Sequence, residues 1–187
     1  GAWVLKRNGE VVALGDATDY GPVTPSIGMT LDEQEAYTGT SIESAAGGGY
    51  WVVNGNGEVQ TFGGAPDHGG IFSRINLKPN EWVRSIRRNS DDSGYWIVSG
   101  AGRVYNFGAA ADLGQAVYPT EAGNIKDIVD ESLYEDYRQL FWSMGITPTD
   151  GGYWVLRANG EIFHSGDALE FGHPGGQGTI RKDGNYK

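Results

Sequence analysis

Short runs of β-branched and aromatic residues, each closed by a glycine, recur along most of this chain. Tyr50-Trp51-Val52-Val53 is one such run; Asn56-Gly57 follows it, then a second run from Glu58 to Phe62, then Gly63. Residues of that type favour a pleated strand, and an Asn-Gly step supplies the positive-φ backbone that a tight hairpin turn needs. The pattern predicts a β-hairpin. Asn8-Gly9 and Asn159-Gly160 mark the same turn elsewhere.

The hairpin occurs four times. WVLKRNGEVVALGDATDYG from Trp3, WVVNGNGEVQTFGGAPDHG from Trp51, WIVSGAGRVYNFGAAADLG from Trp96 and WVLRANGEIFHSGDALEFG from Trp154 align without a gap. Each begins with Trp (Trp3, Trp51, Trp96, Trp154), carries an acid near its end (Asp19, Asp67, Asp112, Glu170) and closes on Gly. The hairpins therefore lie near 3–21, 51–69, 96–114 and 154–172. Tyr precedes Trp at 50, 95 and 153, so the two rings point to opposite faces of one strand. Large aromatics on both faces require both faces to be buried. Blades of a β-propeller, each sandwiched between two neighbours, provide that environment.

Spacings of 48, 45 and 58 residues between these tryptophans leave room for further strands. Trp82 to Arg87 reads as one, with Ile86 ten places before Trp96; Ser41 to Ser44 fills the same role before Trp51, one place out of step. Leu140 to Thr147 fills it before Trp154, with Met144 ten places upstream. The first hairpin has no strand before it, and the segment near 178–187 matches what is missing: with Lys187 set against Gly1, Ile180 falls ten places ahead of Trp3. The chain is thus read as an all-β single domain over 1–187, a small β-propeller of four blades. Its ring is closed by a split blade built from both chain ends, which removes an open sheet edge. Two helices interrupt the pattern. Thr30 and Glu33 have capping-box spacing before a segment ending at Tyr37. A helical insertion near 124–139 places Ile125, Ile128, Val129, Leu133 and Tyr137 on one face and starts at Asn124 or at Ser132.

Composition narrows the function classes. The chain has 187 residues, 31 of them Gly and none Cys, so it holds neither a disulfide framework nor a thiolate metal site. A formal net charge of −10 repels a phosphate backbone and argues against nucleic-acid binding. No apolar run approaches the roughly 20 residues that span a bilayer, so no membrane insertion is expected. Gly1 to Gly9 is not a signal peptide and carries no initiator Met, which suggests a trimmed chain, a piece of a longer one, or one made without its natural start.

Gly-Tyr-Trp-Val, a short Asn-Gly turn, then Phe-Gly and a trailing small-residue segment resembles the GYW/FGDA-type β-propeller repeat of secreted actinobacterial proteins and of tail proteins of their phages. SMGITPTDGGYWVL at 143–156 is similar to the lead-in of that repeat. The resemblance covers most of the chain outside the insertion and the loop from Pro22 to Tyr37. It implies an extracellular or virion setting and brings no catalytic residues. Departures are Ala2 for Tyr, Ser165 for an aromatic or Leu, and altered connections.

Candidate sites follow from these positions. The four tryptophans read as blade-to-blade core, with a sugar-stacking platform as the alternative. The four acids read as acceptors for loop N–H groups; the alternative has them ring a structural cation in the central channel through oxygen ligands. Otherwise no cofactor is expected. Asp16 and Asp167 share a second position. His68, His164 and His173 read as structural or solvent-exposed, Asn89 to Gly94 as a solvated turn, and Arg84, Arg87 and Arg88 as partners for surplus carboxylates. Tyr20, Phe72, Tyr118 and Phe171 in the inter-blade loops are the candidate ligand-binding aromatics. No nucleophile-elbow, zincin, Walker or Rossmann pattern stands in a proper context. The reading is a non-catalytic binding or structural module, a phage tail or tail-fibre component contacting host-surface glycan and neighbouring virion or cell-surface proteins. A purely structural protein docking through its helical insertion and a carbohydrate-active enzyme with two carboxyls are the alternatives.

Overall fold

A computed structural model describes residues 1–25, 29–71, 77, 81–116, 141–157, 160 and 162–172, with backbone only at 35–36. Its elements are β1 (Ala2–Leu5), β2 (Val11–Leu14), α1 (Leu31–Tyr37), β3 (Ser41–Ser44), β4 (Tyr50–Val53), β5 (Val59–Phe62), β6 (Val83–Arg88), β7 (Gly94–Ser99), β8 (Val104–Gly108), β9 (Phe141–Ile146), β10 (Gly152–Arg157) and β11 (Ile162–Gly166). They form four small antiparallel sheets. Three have three strands, β3-β4-β5, β6-β7-β8 and β9-β10-β11, and one has two, β1-β2. The described residues are mostly β, with helix α1 and a helical residue at Ile71 besides. The closing segment near 178–187 and the helical insertion near 124–139 lie outside those residues.

The hairpin turns differ in one respect from the sequence expectation. Gly9, Gly57, Gly102 and Gly160 have positive φ, whereas Asn8 and Asn56 do not. Gly9 N–H donates to Lys6 O at 3.0 Å while Lys6 N–H donates to Glu10 O at 2.8 Å. That is a three-residue loop, a turn followed by a left-handed glycine bulge, and so needs one positive-φ residue rather than two. The middle sheets repeat it at Asn54/Gly57 and Ser99/Gly102.

The preceding strands pair in one register. Ile42 opposes Val52, Ile86 opposes Ile97 and Met144 opposes Val155, in each case the residue just after Trp. Ile42 is one place out of step in sequence because its turn is one residue shorter: Ala45 N–H donates to Gly49 O, whereas Asn89 and Thr147 reach Gly94 and Gly152. Asp92 and Asp150 take the left-handed position of the two longer turns, with φ of 61° and 58°.

Sheets stack face to face in chain order, and three apolar clusters fill the gaps between them. Trp3, Leu5 and Val11 meet Tyr50, Val52, Ile42 and Phe62. Trp51 and Val53 meet Ile86, Tyr95, Ile97 and Phe107. Trp96, Val98 and Val104 meet Met144, Tyr153 and Val155. Each interface thus sets the Trp face of one sheet on the Tyr face of the next. Strand β6 runs beside both β3 and β9. Helix α1 starts at an N-cap Thr30 whose hydroxyl accepts Glu33 N–H while Glu33 answers to Thr30 N–H at 2.8 Å, and its last residue, Tyr37, stacks on Trp82 with ring centroids 4.2 Å apart.

Candidate functional site

The repeat's own chemistry is spent on holding its loops. Each Trp indole N–H donates to a carbonyl fifteen residues on: Trp3 to Thr18, Trp96 to Ala111 and Trp154 to Leu169 at 2.8 Å, Trp51 to Pro66 at 2.7 Å. A second tie lies beyond the aligned segment. Val23, Ile71 and Ala116 donate their N–H to the carbonyls of the turn glycines Gly9, Gly57 and Gly102. The fourth equivalent is Pro174, which has no N–H to give and lies outside the described residues.

The loop acids do not gather. Oδ1 of Asp19, Asp67 and Asp112 accepts the N–H of Gly21, Gly69 and Gly114, two residues on, at 2.8, 2.8 and 2.9 Å. These are local Asx turns. Among the described residues no group of three or more His, Asp or Glu is placed to hold a metal ion. Asp167 accepts from the hydroxyls of Thr149 and Thr147, which hold its carboxyl below the usual range.

The Tyr that precedes Trp ties one sheet to the one before. Tyr95 donates its hydroxyl to Gly69 O, and Tyr153 to Gly114 O at 3.1 Å. Burial pushes the Tyr153 hydroxyl up to about 12. Tyr50 occupies the same position, but its hydroxyl has no partner among the described residues. A second tie between sheets was not legible in the sequence. Oδ2 of Asp92 accepts the N–H of Ala46 at 2.6 Å and of Gly47 at 3.2 Å; Oδ2 of Asp150 accepts Ser90 N–H at 2.9 Å and its hydroxyl at 2.6 Å. The segment Asn89 to Gly94 is therefore part of a latch between sheets rather than only a solvated turn.

The described candidate aromatics sit at one repeated position. Tyr20 lies 5.9 Å from Tyr50 between ring centroids, and His68 lies 5.3 Å from Tyr95. Leu113 packs against the cluster that holds Tyr153. Tyr20 and His68 thus each lie against the Tyr of the following sheet. Phe171, in the same position, lies 5.9 Å from its own Trp154 and is 80% exposed. His68 Nε2 donates to Asp92 O at 2.9 Å, so that histidine is structural, while His164 is exposed. Phe72, Tyr118 and His173 lie outside the described residues.

Two of the three β6 arginines form ion pairs with carboxylates. Arg87 Nη1 lies 3.4 Å from Glu43, and Arg88 donates to Asp92 at 2.9 Å. Burial raises the Glu43 carboxyl above its ordinary range in spite of Arg87. Arg103 grips the buried Glu81 through two nitrogens, and burial beside Glu81 lifts the Tyr105 hydroxyl to about 12. Sequence reasoning passed over Trp142, on β9 and 56% exposed. The signal was arithmetic, six tryptophans for four repeats; Trp82 is accounted for by Tyr37 and Trp142 is not.

No described helix is long and apolar enough to cross a membrane. Compared with known proteins, the chain matches no family model, no curated protein and no solved structure.

Proposed function

We propose that the chain is a non-catalytic binding module of extracellular or virion origin, a phage tail or tail-fibre component that contacts host-surface glycan. Its architecture on this reading is a four-bladed β-propeller, completed when the segment near 178–187 lies along β1. One observation supports it above the others: four units with the same indole–carbonyl bond are stacked by equivalent faces. In addition, β4, β7 and β10 each have two strand neighbours, where β1 has β2 alone among the described residues. On this reading the spacing that sets Ile86 and Met144 ten places before Trp would put Ile180 at that edge. The setting rests on the resemblance of the repeat to secreted actinobacterial and phage-tail proteins. The non-catalytic reading rests on the use of the repeated Trp, Tyr and Asp side chains to hold loops and neighbouring sheets.

Recognition falls to aromatic faces that the stack leaves open, Trp142 and the outer side of Tyr20, because an aromatic face stacks on a pyranose ring. The test is binding of the labelled protein to a glycan array and to actinobacterial cell walls. Saturable binding is expected, weakened about tenfold, or about 1.4 kcal/mol, by Trp142→Ala or Tyr20→Ala. Absence of binding to every glycan and wall preparation overturns the recognition reading. The architectural half is tested by amide exchange of β1, which should be slow in the full chain and fast in a chain ended at Gly172.

A further inference from the structure

The three interfaces between successive sheets are built alike, and the two outermost faces carry the same two halves. In each interface the second residue after Trp (Leu5, Val53, Val98) shares a cluster with the first residue after the next Trp (Val52, Ile97, Val155). At the last sheet the first half stands alone: Leu156 is 37% exposed, and Leu169 and Phe171, whose ring lies near Trp154, are exposed as well. At the first sheet the second half stands alone. The register Ala2↔Leu14 and Val4↔Val12 puts these four on one face, where Val4 is 47% and Leu14 49% exposed.

We infer that these faces form a fourth interface within one chain, Ala2, Val4 and Leu14 packing on Trp154, Leu156 and Phe171. The inference rests on the ring proposed above but concerns face packing, not the pairing of the 178–187 segment. Where Tyr20 lies against Tyr50 and His68 against Tyr95, Phe171 would meet Ala2, the same position of the first sheet. The occupant is the chain's own first sheet because that face continues the same series. A tethered partner also acts at a high effective concentration that a second copy in dilute solution does not match. This seam lacks the Tyr hydroxyl that ties Tyr95 to Gly69 and Tyr153 to Gly114, as does the first interface, where the Tyr50 hydroxyl has no partner among the described residues.

The chain has no cysteine, which makes the test clean. Val4→Cys/Leu156→Cys in the full chain is treated with a short bismaleimide that spans about the 10 Å between packed sheets. The expected product at low protein concentration is a monomer bridged within itself; each single variant gives only simple adducts. A bridged dimer would hand the faces to a second copy and overturn the inference, and so would a folded double variant with no bridge. Leu14→Cys/Leu169→Cys provides a second pair should the first fail to fold. Slow β1 exchange without bridging would remove this seam and leave the closing strand standing.

Discussion

Trp96 and Ala111 are joined by a 2.8 Å hydrogen bond from the indole to a backbone carbonyl. The same bond joins Trp154 to Leu169, but Trp96 is buried between two sheets and Trp154 is not. The smaller ring leaves a void where the Trp is enclosed, and the bond it loses is partly buried at Ala111 but exposed at Leu169. Trp96→Phe should therefore cost about 2–4 kcal/mol, and Trp154→Phe as much once the seam inferred above encloses that ring. Denaturant midpoints of the two variants check this; a clearly smaller loss at Trp154 would mean that its face stays open to solvent and would count against the seam.

The tyrosine hydroxyls offer a sharper comparison. Tyr153→Phe removes a bond to Gly114 O and should cost about 1 kcal/mol. Tyr95→Phe, which frees Gly69 O, should cost as much. Tyr50→Phe removes a buried hydroxyl with no described partner, so its stability should be unchanged or raised. Thermal unfolding of the three variants measures the contrast.

How much of this was legible follows from what each feature needs. Hairpins, positive-φ glycines and two-faced burial at Tyr-Trp depend on the residue types themselves, and the repeat gave them four times. The third strands were legible through Ile42, Ile86 and Met144, although the shorter turn before Tyr50 hid the register of Ile42. The indole acceptors were not legible, because Thr18, Pro66, Ala111 and Leu169 share nothing but a backbone carbonyl. Neither was the Asp92 and Asp150 latch. Its acceptors belong to one sheet and its donors to another, and their meeting depends on how the sheets stack. Tyr20 and Phe171 were legible as exposed loop aromatics, and both are exposed; that Tyr20 also lies against Tyr50 was not, since nothing local tells which sheet packs there.

Glu43 gives a pH prediction. Burial raises its folded pKa above the ordinary 4.5, so the native state binds the proton more tightly than the unfolded chain. Stability then falls as pH rises from 4.5 through the raised value and is level above it. Glu43→Gln should abolish that fall and be no less stable near neutral pH, because Arg87 keeps its 2.7 Å bond to Ile86 O. Unfolding midpoints at about pH 5 and about pH 8, compared between the parent and the variant, decide it. A variant that loses stability only at the higher pH would mean that the Arg87 pair outweighs desolvation.

The latch at Asp92 joins backbone conformation to sheet stacking. Its carboxylate accepts Ala46 and Gly47 N–H from the preceding sheet at 2.6 and 3.2 Å and Arg88 from its own at 2.9 Å, all from a residue with φ of 61°. Asp92→Ala loses these bonds and keeps a β-carbon in the left-handed region, so it should cost about 2–4 kcal/mol. Asp92→Gly loses the same bonds but relieves the backbone, and should recover about 1 kcal/mol of that. Asp92→Asn retains an oxygen acceptor and tolerates the conformation, and should lie closest to the parent. The order Asn, Gly, Ala in falling stability requires both the carboxylate bonds and the positive φ; if Gly equalled Asn, the bonds between the two sheets would be contributing nothing.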